Sequence, residues 1–189
     1  MTVTDPIIRH EPGAPWTVDD LFNVEDETNR YELFDGTLLV SPTSRSPHTR
    51  ASLRLRHVLD RVAPDDLVVL EGTFGLYISE TTLYVPDILV LPGTAIEGDV
   101  KGARPADVRL AIEVLSPSNA KHDLVLKRYE YAAAGIPRYW IVDPRERCII
   151  VLTIEQGDTH YSESAVVRAG DRFRADEPFP MDFDIREIF

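Results

Sequence analysis

Short stretches in which apolar residues alternate with polar ones, or follow one another without interruption, recur along most of the chain. Stretches of four to eight such residues, bounded by turn-forming residues, are typical of β-strands. We predict strands in the segments YELF, TLLVSP, DLVVLEG, FGLYIS, TLYVPDILVLP, RLAIEVLS, YWIVD, CIIVLTIEQ and THYSESAVV. The dipeptide Asp35-Gly36 separates the first two segments and predicts a type I′ hairpin.

Three segments carry helical signals instead. The segment TVDDLFNV begins with Thr17, a favoured N-cap residue. Residues 46–63 show a mostly one-sided apolar stripe and predict a long helix. A second long helix is predicted from Ser118 or Asn119 to about Ala134, where a glycine follows.

The order of these elements predicts an α/β fold. The tract from YVPDILVL through AIEVLS to a helix and then YWIVD favours a mixed β-sheet flanked by α-helices in a single domain. Residues 1–16 are expected to be an irregular lead-in, and residues 17–189 are expected to form the domain. The tail FPMDFDIREIF is expected to dock on the core.

Composition narrows the class of protein further. Of the 189 residues, 43% are hydrophobic, which is enough for a sizeable core. No apolar run approaches the roughly 18 residues that span a bilayer, and the first residues lack the pattern of a signal peptide. We therefore expect a cytoplasmic protein without membrane contact. The single cysteine, Cys148, excludes an internal disulfide and a cysteine-rich zinc site.

Two acidic residues interrupt strands that are otherwise strongly apolar. Asp87 lies within YVPDILVLP and Glu113 lies within RLAIEVLS. Either carboxylate alone could face solvent on a half-exposed strand. If the two strands are neighbours, however, both carboxylates can project from one face of the sheet, where their repulsion favours a bound cation. All-oxygen ligands suit Mg²⁺ or Mn²⁺ better than zinc.

The predicted helix after Glu113 offers a positive charge. Asp123, Lys127 and Tyr131 are spaced i, i+4 and i+8, so they share one helix face. One interpretation is a surface ion pair between Asp123 and Lys127. The other is that Lys127 points into the carboxylate site, where it could position water and stabilise charge.

Four segments together resemble a known family. They are YELFDGTLLVSP, YVPDILVL, LAIEVLSPSNAKHDLVLKRYEYAAAGIPRYWIVDP and FPMDFDIREIF. Over residues 17–189 the chain resembles the Uma-type group of restriction-endonuclease-like proteins, a branch of the PD-(D/E)XK nuclease superfamily. This resemblance implies a restriction-endonuclease-like fold and an endonuclease that hydrolyses phosphodiester bonds, most often in DNA, with Mg²⁺ or Mn²⁺.

The resemblance also implies roles for particular residues. Asp87 matches the motif aspartate and Glu113 matches the motif glutamate, with the main-chain carbonyl of Val114 as a further metal ligand. Glu32 matches the additional acidic residue of the N-terminal part. The superfamily pattern places a lysine where this chain has Leu115.

In this branch the lysine is expected to have moved to the following helix, which makes Lys127 the replacement. Glu32, Asp87, Glu113 and Lys127 are then the expected catalytic residues. Asp123 is expected to orient Lys127, and Tyr131 to line the site. The histidines fit no paired metal-binding spacing, and His10, His48, His57 and His160 are expected to be ordinary surface or packing residues.

The expected partner is nucleic acid. By analogy with nucleases of this size, we expect a homodimer in which each subunit cuts one strand. Arg45, Arg50 and Lys121 are candidate phosphate contacts, although a solvated helix face is the favoured explanation for the two arginines. The formal net charge of −12 opposes tight, unassisted DNA binding. Together with the missing lysine of the strand, this charge favours a rival hypothesis, a catalytically silent binding or assembly module that keeps the nuclease fold.

Overall fold

Short strands dominate the computed structural model, which describes residues 13–24, 29–41, 46–98, 100, 102–116, 122–155 and 157–189. The α-helices in these residues are α1 (Val18–Phe22), α2 (Ser46–Asp60) and α3 (Arg128–Ala133). The strands are β1 (Arg30–Phe34), β2 (Thr37–Ser41), β3 (Leu67–Glu71), β4 (Gly75–Ser79), β5 (Thr82–Tyr84), β6 (Ile88–Pro92), β7 (Gly102–Ala103), β8 (Leu110–Val114), β9 (Arg138–Asp143), β10 (Cys148–Thr153), β11 (Ser162–Arg168), β12 (Arg172–Ala175) and β13 (Met181–Asp184). Within this part of the chain, no helix has both the length and the hydropathy to cross a bilayer.

A six-stranded mixed sheet forms the centre of the domain, in the order β11-β10-β9-β8-β6-β3. Strands β8 and β9 run parallel, and the other neighbouring pairs run antiparallel. Side chains alternate between the two faces, as the pleat of a strand requires. In β8, for example, Ile112 and Val114 pack with helix α2, whereas Ala111 packs on the opposite face with residues of α3.

A second, five-stranded sheet has the order β2-β1-β5-β4-β7. Its β1–β2 hairpin is closed by Asp35 and Gly36, which have φ angles of 45° and 73°, as a type I′ turn requires. Helix α1 packs beside this sheet, and a reciprocal capping box between Thr17 and Asp20 fixes its first turn. The predicted hairpin and the predicted N-cap are both confirmed.

The chain passes from the five-stranded sheet to the six-stranded sheet between Tyr84 and Ile88. The sequence predicts one strand over TLYVPDILVLP, but β5 ends at Tyr84 and β6 begins at Ile88. Pro86 lies in this break and has no N–H to donate to a ladder, which explains why pairing stops there. The break places Asp87 at the junction of the two sheets.

Two helices differ from their predicted form. Helix α2 ends at Asp60, three residues before the predicted end at Ala63. The second long helix is a π-helical segment at His122–Lys127 that continues into α3, while its predicted caps, Ser118 and Asn119, lie outside the described residues. A π-helical turn is wide and often lies at a functional site.

The C-terminal tail completes the core on the face of the central sheet that also carries α2. Strands β12 and β13 form an antiparallel hairpin. Phe173 stacks on Phe183 with ring centroids 4.9 Å apart, and Phe173 also contacts Trp140 at 4.6 Å. The prediction that the tail docks on the core of a single domain is confirmed.

We predict that Phe183→Ala lowers the free energy of unfolding by about 3–5 kcal/mol, because it deletes a buried ring and leaves a cavity. Urea denaturation followed by circular dichroism measures this change. Val125→Ala is the control, since Val125 is 70% exposed, and we expect less than about 0.5 kcal/mol from it. Equal values for the two variants would mean that the tail does not contribute to the core.

Candidate active site

Five charged side chains from both sheets and from the π-helical segment meet at the junction of the sheets. We call them the charge cluster: Arg30 and Glu32 from β1, Asp87 from the break between β5 and β6, Glu113 from β8, and Lys127 from the end of the π-helical segment. The strand register explains why two of them meet. Ile88 pairs with Ile112, so the next position along each strand brings Asp87 beside Glu113.

Lys127 joins two of the carboxylates. Its Nζ donates to Glu113 Oε1 at 2.8 Å and to Glu32 Oε1 at 2.9 Å. The hydroxyl of Tyr131 donates to the same Glu113 oxygen at 2.9 Å. Glu113 is fully buried and Lys127 is 3% exposed. The Lys127 side chain therefore points into the carboxylate site and does not form a surface ion pair.

Aromatic rings enclose this part of the cluster. The ammonium of Lys127 lies 5.4 Å from the centroid of the Tyr84 ring, within the range of a cation–π contact. Tyr84 and Tyr131 pack edge to face, with centroids 5.6 Å apart. Burial raises the pKa of Tyr131 well above its usual value, and the nearby Glu113 raises it further, so the Tyr131 hydroxyl remains a hydrogen-bond donor at neutral pH.

Asp87 is held by three groups. Its Oδ1 accepts from Arg30 Nη1 at 2.7 Å, while its Oδ2 accepts from the Val114 N–H at 2.7 Å and lies 3.0 Å from His48 Nε2. Burial alone would raise the pKa of Asp87, but the hydrogen bond with His48 and the charge of Arg30 hold it well below the usual range. Asp87 is therefore ionised.

Glu32 is ionised for a similar reason. Burial would raise the pKa of Glu32, but the charges of Lys127 and Arg30 and a hydrogen bond from the Val85 N–H, at 2.9 Å, lower it. Three carboxylates thus lie close together in a largely buried place, and two of them are held in the charged form.

Arg30 supplies a second positive charge, which the sequence reasoning missed. Besides its contact with Asp87, its Nη2 lies 3.5 Å from Glu32 Oε1 and 3.7 Å from Glu113 Oε2, and it donates to the Val85 carbonyl. One guanidinium is therefore within ion-pair distance of all three carboxylates. Arg30 and Lys127 therefore offset part of the carboxylate repulsion that was expected to favour a bound cation.

The donor chemistry of the cluster nevertheless fits a divalent metal ion. Three carboxylates offer the oxygen ligands that Mg²⁺ and Mn²⁺ prefer. Among the residues that the structure describes, no three His, Cys, Asp or Glu side chains are grouped as a ready-made metal site. The Arg30 guanidinium already lies among these carboxylates. The site therefore suits a cation, and a metal ion would bind to carboxylates that Arg30 contacts in this structure.

His48 corrects one sequence-based interpretation. We expected an ordinary surface or packing residue, but His48 is 7% exposed and contacts Asp87. It lies in the first turn of α2, and no spacing in the sequence links it to Asp87. Arg30 did carry a signal in the sequence. It lies two positions before Glu32 on β1, and residues two positions apart on a strand share a face.

Several other predicted residues lie away from the cluster or outside the described part. Arg50 is exposed on α2. Arg45, Lys121 and the side chain of Asp123 lie outside the residues that the structure describes. For Val114, it is the N–H that contacts Asp87. The roles of these residues stay predictions.

Comparison with known proteins shows the class to which the fold belongs. The crystal structure of a "putative nuclease belonging to DUF820 from Anabaena variabilis ATCC 29413" has a TM-score of 0.67 with this chain, at 17% sequence identity, and the match covers 93% of this chain and 98% of that chain. At this identity the likeness shows the fold alone: a mixed α/β, nuclease-like domain.

The sequence pattern of the Uma2 family, described as "Putative restriction endonuclease", matches residues 18–186. This match covers most of the chain, so the protein belongs to the Uma2 family, and the resemblance found in the sequence is confirmed. No curated protein sequence matches the chain.

We predict that Lys127→Met lowers the free energy of unfolding at pH 7 by about 3–5 kcal/mol, because it leaves buried carboxylates without their ammonium partner. The loss should shrink in acid. The lowered pKa of Glu32 means that its stabilising contribution exists above the unfolded-state pKa of about 4.3 and disappears as the pH falls through the folded-state pKa.

Urea denaturation at pH 7 and at about pH 3, well below the unfolded-state pKa of a glutamate, measures both effects. Arg145→Met, which removes an exposed cation, is the control and should change stability little at either pH. A Lys127→Met variant as stable as the parent at pH 7 would show that these ion pairs do not hold the junction together.

Proposed function

We propose that this protein is a divalent-metal-dependent nuclease that hydrolyses phosphodiester bonds, with DNA as the substrate. The observation that carries the proposal is the convergence of Glu32, Asp87 and Glu113 with Lys127 at the junction of two sheets. Membership of a family described as restriction endonucleases supports the same activity. Proteins of this kind generally use a divalent metal ion.

Asp87 and Glu113 are the residues that would hold Mg²⁺ or Mn²⁺, with Glu32 beside them and the Val114 carbonyl as a further oxygen. When bound, the metal ion supplies Lewis-acid polarisation of the phosphate and a water of lowered pKa. The lowered pKa of Asp87 keeps its carboxylate charged, as a metal ligand must be.

Lys127 and Tyr131 complete the proposed site. The Lys127 ammonium contacts the carboxylates of both Glu32 and Glu113. In this position its charge would orient water and offset the negative charge that develops on a phosphate. Tyr131 fixes the Glu113 carboxylate through its hydroxyl. Asp123 would orient Lys127 from the π-helical segment.

Nucleic acid must approach a chain with a net charge of −12, so local basic side chains have to provide the phosphate contacts. Arg45, Arg50 and Lys121 are the proposed contacts. A homodimer in which each subunit cuts one strand, and a cytoplasmic location, are further parts of this proposal.

A catalytically silent binding or assembly module is the second candidate. Internal compensation of the carboxylates by Arg30 and Lys127 favours it, as does the acidic net charge. The two candidates differ in one measurable property, because the silent module cleaves no nucleic acid at any metal concentration.

We predict that the purified protein degrades plasmid DNA with Mg²⁺ or Mn²⁺ and that Glu113→Gln reduces the rate by about 100-fold or more, since metal-based stabilisation of the transition state amounts to several kcal/mol. Gel electrophoresis of supercoiled plasmid, single-stranded DNA and RNA, each with either metal or with EDTA, measures rate and substrate preference.

Glu163→Gln is the matched control, because it makes the same chemical change at an exposed position of β11. It should cleave like the parent. Equal cleavage by the parent and by Glu113→Gln would indicate a contaminating nuclease, and no cleavage by either with any substrate would favour the silent module.

A further inference from the structure

We propose that Arg30 and the divalent metal ion exclude each other: the guanidinium closes the carboxylate site as an internal counter-ion, and the metal binds only after this side chain has moved away. This inference rests on the proposed metal dependence of the nuclease. It adds a residue that controls access to the site.

The position of the guanidinium supports the exclusion. Arg30 Nη1 lies 2.7 Å from Asp87 Oδ1, and Nη2 lies 3.5 Å from Glu32 Oε1 and 3.7 Å from Glu113 Oε2. A metal ion coordinated by Asp87 and Glu113 needs oxygen atoms of the same carboxylates that the guanidinium now contacts. Two cations in this small volume would also repel each other.

Arg30 is the member of the cluster best able to leave. Its side chain is 21% exposed, whereas the side chains of Lys127 and Asp87 are 3% and 4% exposed and that of Glu113 is fully buried. Lys127 is enclosed by aromatic rings and holds two carboxylates. The side chain of Arg30 is long, and its partial exposure gives it a direct path to water.

One unpaired hydrogen-bond donor of Arg30 also lowers the free-energy cost of its departure. Among the residues that the structure describes, the buried Nε of Arg30 has no hydrogen-bond partner. An unpaired buried donor costs free energy, and water would satisfy this Nε once the side chain has turned outward. The inward position of Arg30 is therefore held by its ion pairs and by its hydrogen bonds to Asp87 and to the Val85 carbonyl, and it leaves one buried donor of the same side chain without a partner among the described residues.

The charges of the cluster favour exchange for a divalent ion. With all three carboxylates ionised, Glu32, Asp87 and Glu113 carry three negative charges and Lys127 carries one positive charge, which leaves −2 without Arg30 and −1 with it. A single Mg²⁺ or Mn²⁺ neutralises the charge of −2 completely. The exchange thus replaces a monovalent counter-ion by one that matches the remaining charge.

Calorimetric titration with Mn²⁺ alone at fixed pH and ionic strength tests the exclusion. We expect Arg30→Ala to bind Mn²⁺ about 5- to 150-fold more tightly than the parent, the usual range for coupling between two ligands of one protein. Arg145→Ala, an exposed arginine in the turn before β10, is the control for net charge and should bind like the parent. Thermal unfolding of each variant without metal verifies that it is folded.

A rescue experiment separates occupancy of the site from loss of charge. Free guanidinium at a non-denaturing, millimolar concentration should weaken Mn²⁺ binding to Arg30→Ala, because it refills the space that the arginine left. Tetramethylammonium at the same concentration carries the same charge but donates no hydrogen bond, and it should have no effect. The parent should respond to neither ion.

The outcomes distinguish this inference from the proposed function. Saturable Mn²⁺ binding with equal affinity in parent and Arg30→Ala would overturn the exclusion and leave the metal-dependent nuclease intact. No saturable binding in either protein would overturn both. If Arg30→Ala fails to fold, Arg30→Lys replaces it: the shorter ammonium should give tighter Mn²⁺ binding than the parent, and unchanged or weaker binding would contradict the exclusion.

Discussion

Three carboxylates in a largely buried place are the constraint on which the rest of this structure depends. Glu32, Asp87 and Glu113 would repel one another strongly in a medium of low polarity. Lys127 and Arg30 make the arrangement possible, because each of them contacts more than one carboxylate. These ion pairs add to the apolar cluster in which Leu76 and Tyr84 of the five-stranded sheet pack with residues of the six-stranded sheet.

The fold explains how residues distant in sequence reach this junction. The antiparallel register of β6 and β8 sets Asp87 beside Glu113, and the break after β5 connects the two sheets at that point. The π-helical segment brings Lys127 over the same place. A charge cluster built from both sheets links the stability of the fold to the chemistry of the site, since the same ion pairs serve both.

Much of the fold could be predicted from the sequence because it depends on local patterns. The hairpin at Asp35-Gly36, the cap at Thr17 and the apolar strands all follow from turn chemistry and periodicity. The acidic residues of the site were also predictable, as carboxylates within apolar strands and as matches to a family pattern. His48 was not predicted, because its partner Asp87 is 39 positions away and no local pattern reports such a contact. Arg30 was missed although its spacing from Glu32 on β1 places both residues on one face of the strand. The strand break was missed although Pro86 is a local signal for it, and the π-helical turn was missed because the helical periodicity of the segment does not distinguish it from an α-helix.

Anomalous diffraction at the manganese absorption edge, from crystals grown with MnCl₂, tests the central claim most directly. The claim is that carboxylates from the two sheets form one cation-binding site whose internal occupant is Arg30. We expect a single strong peak beside the carboxylates of Asp87 and Glu113, with the Arg30 guanidinium turned toward solvent. Manganese found only at surface carboxylates, or bound at the junction while Arg30 still contacts Asp87, would contradict it.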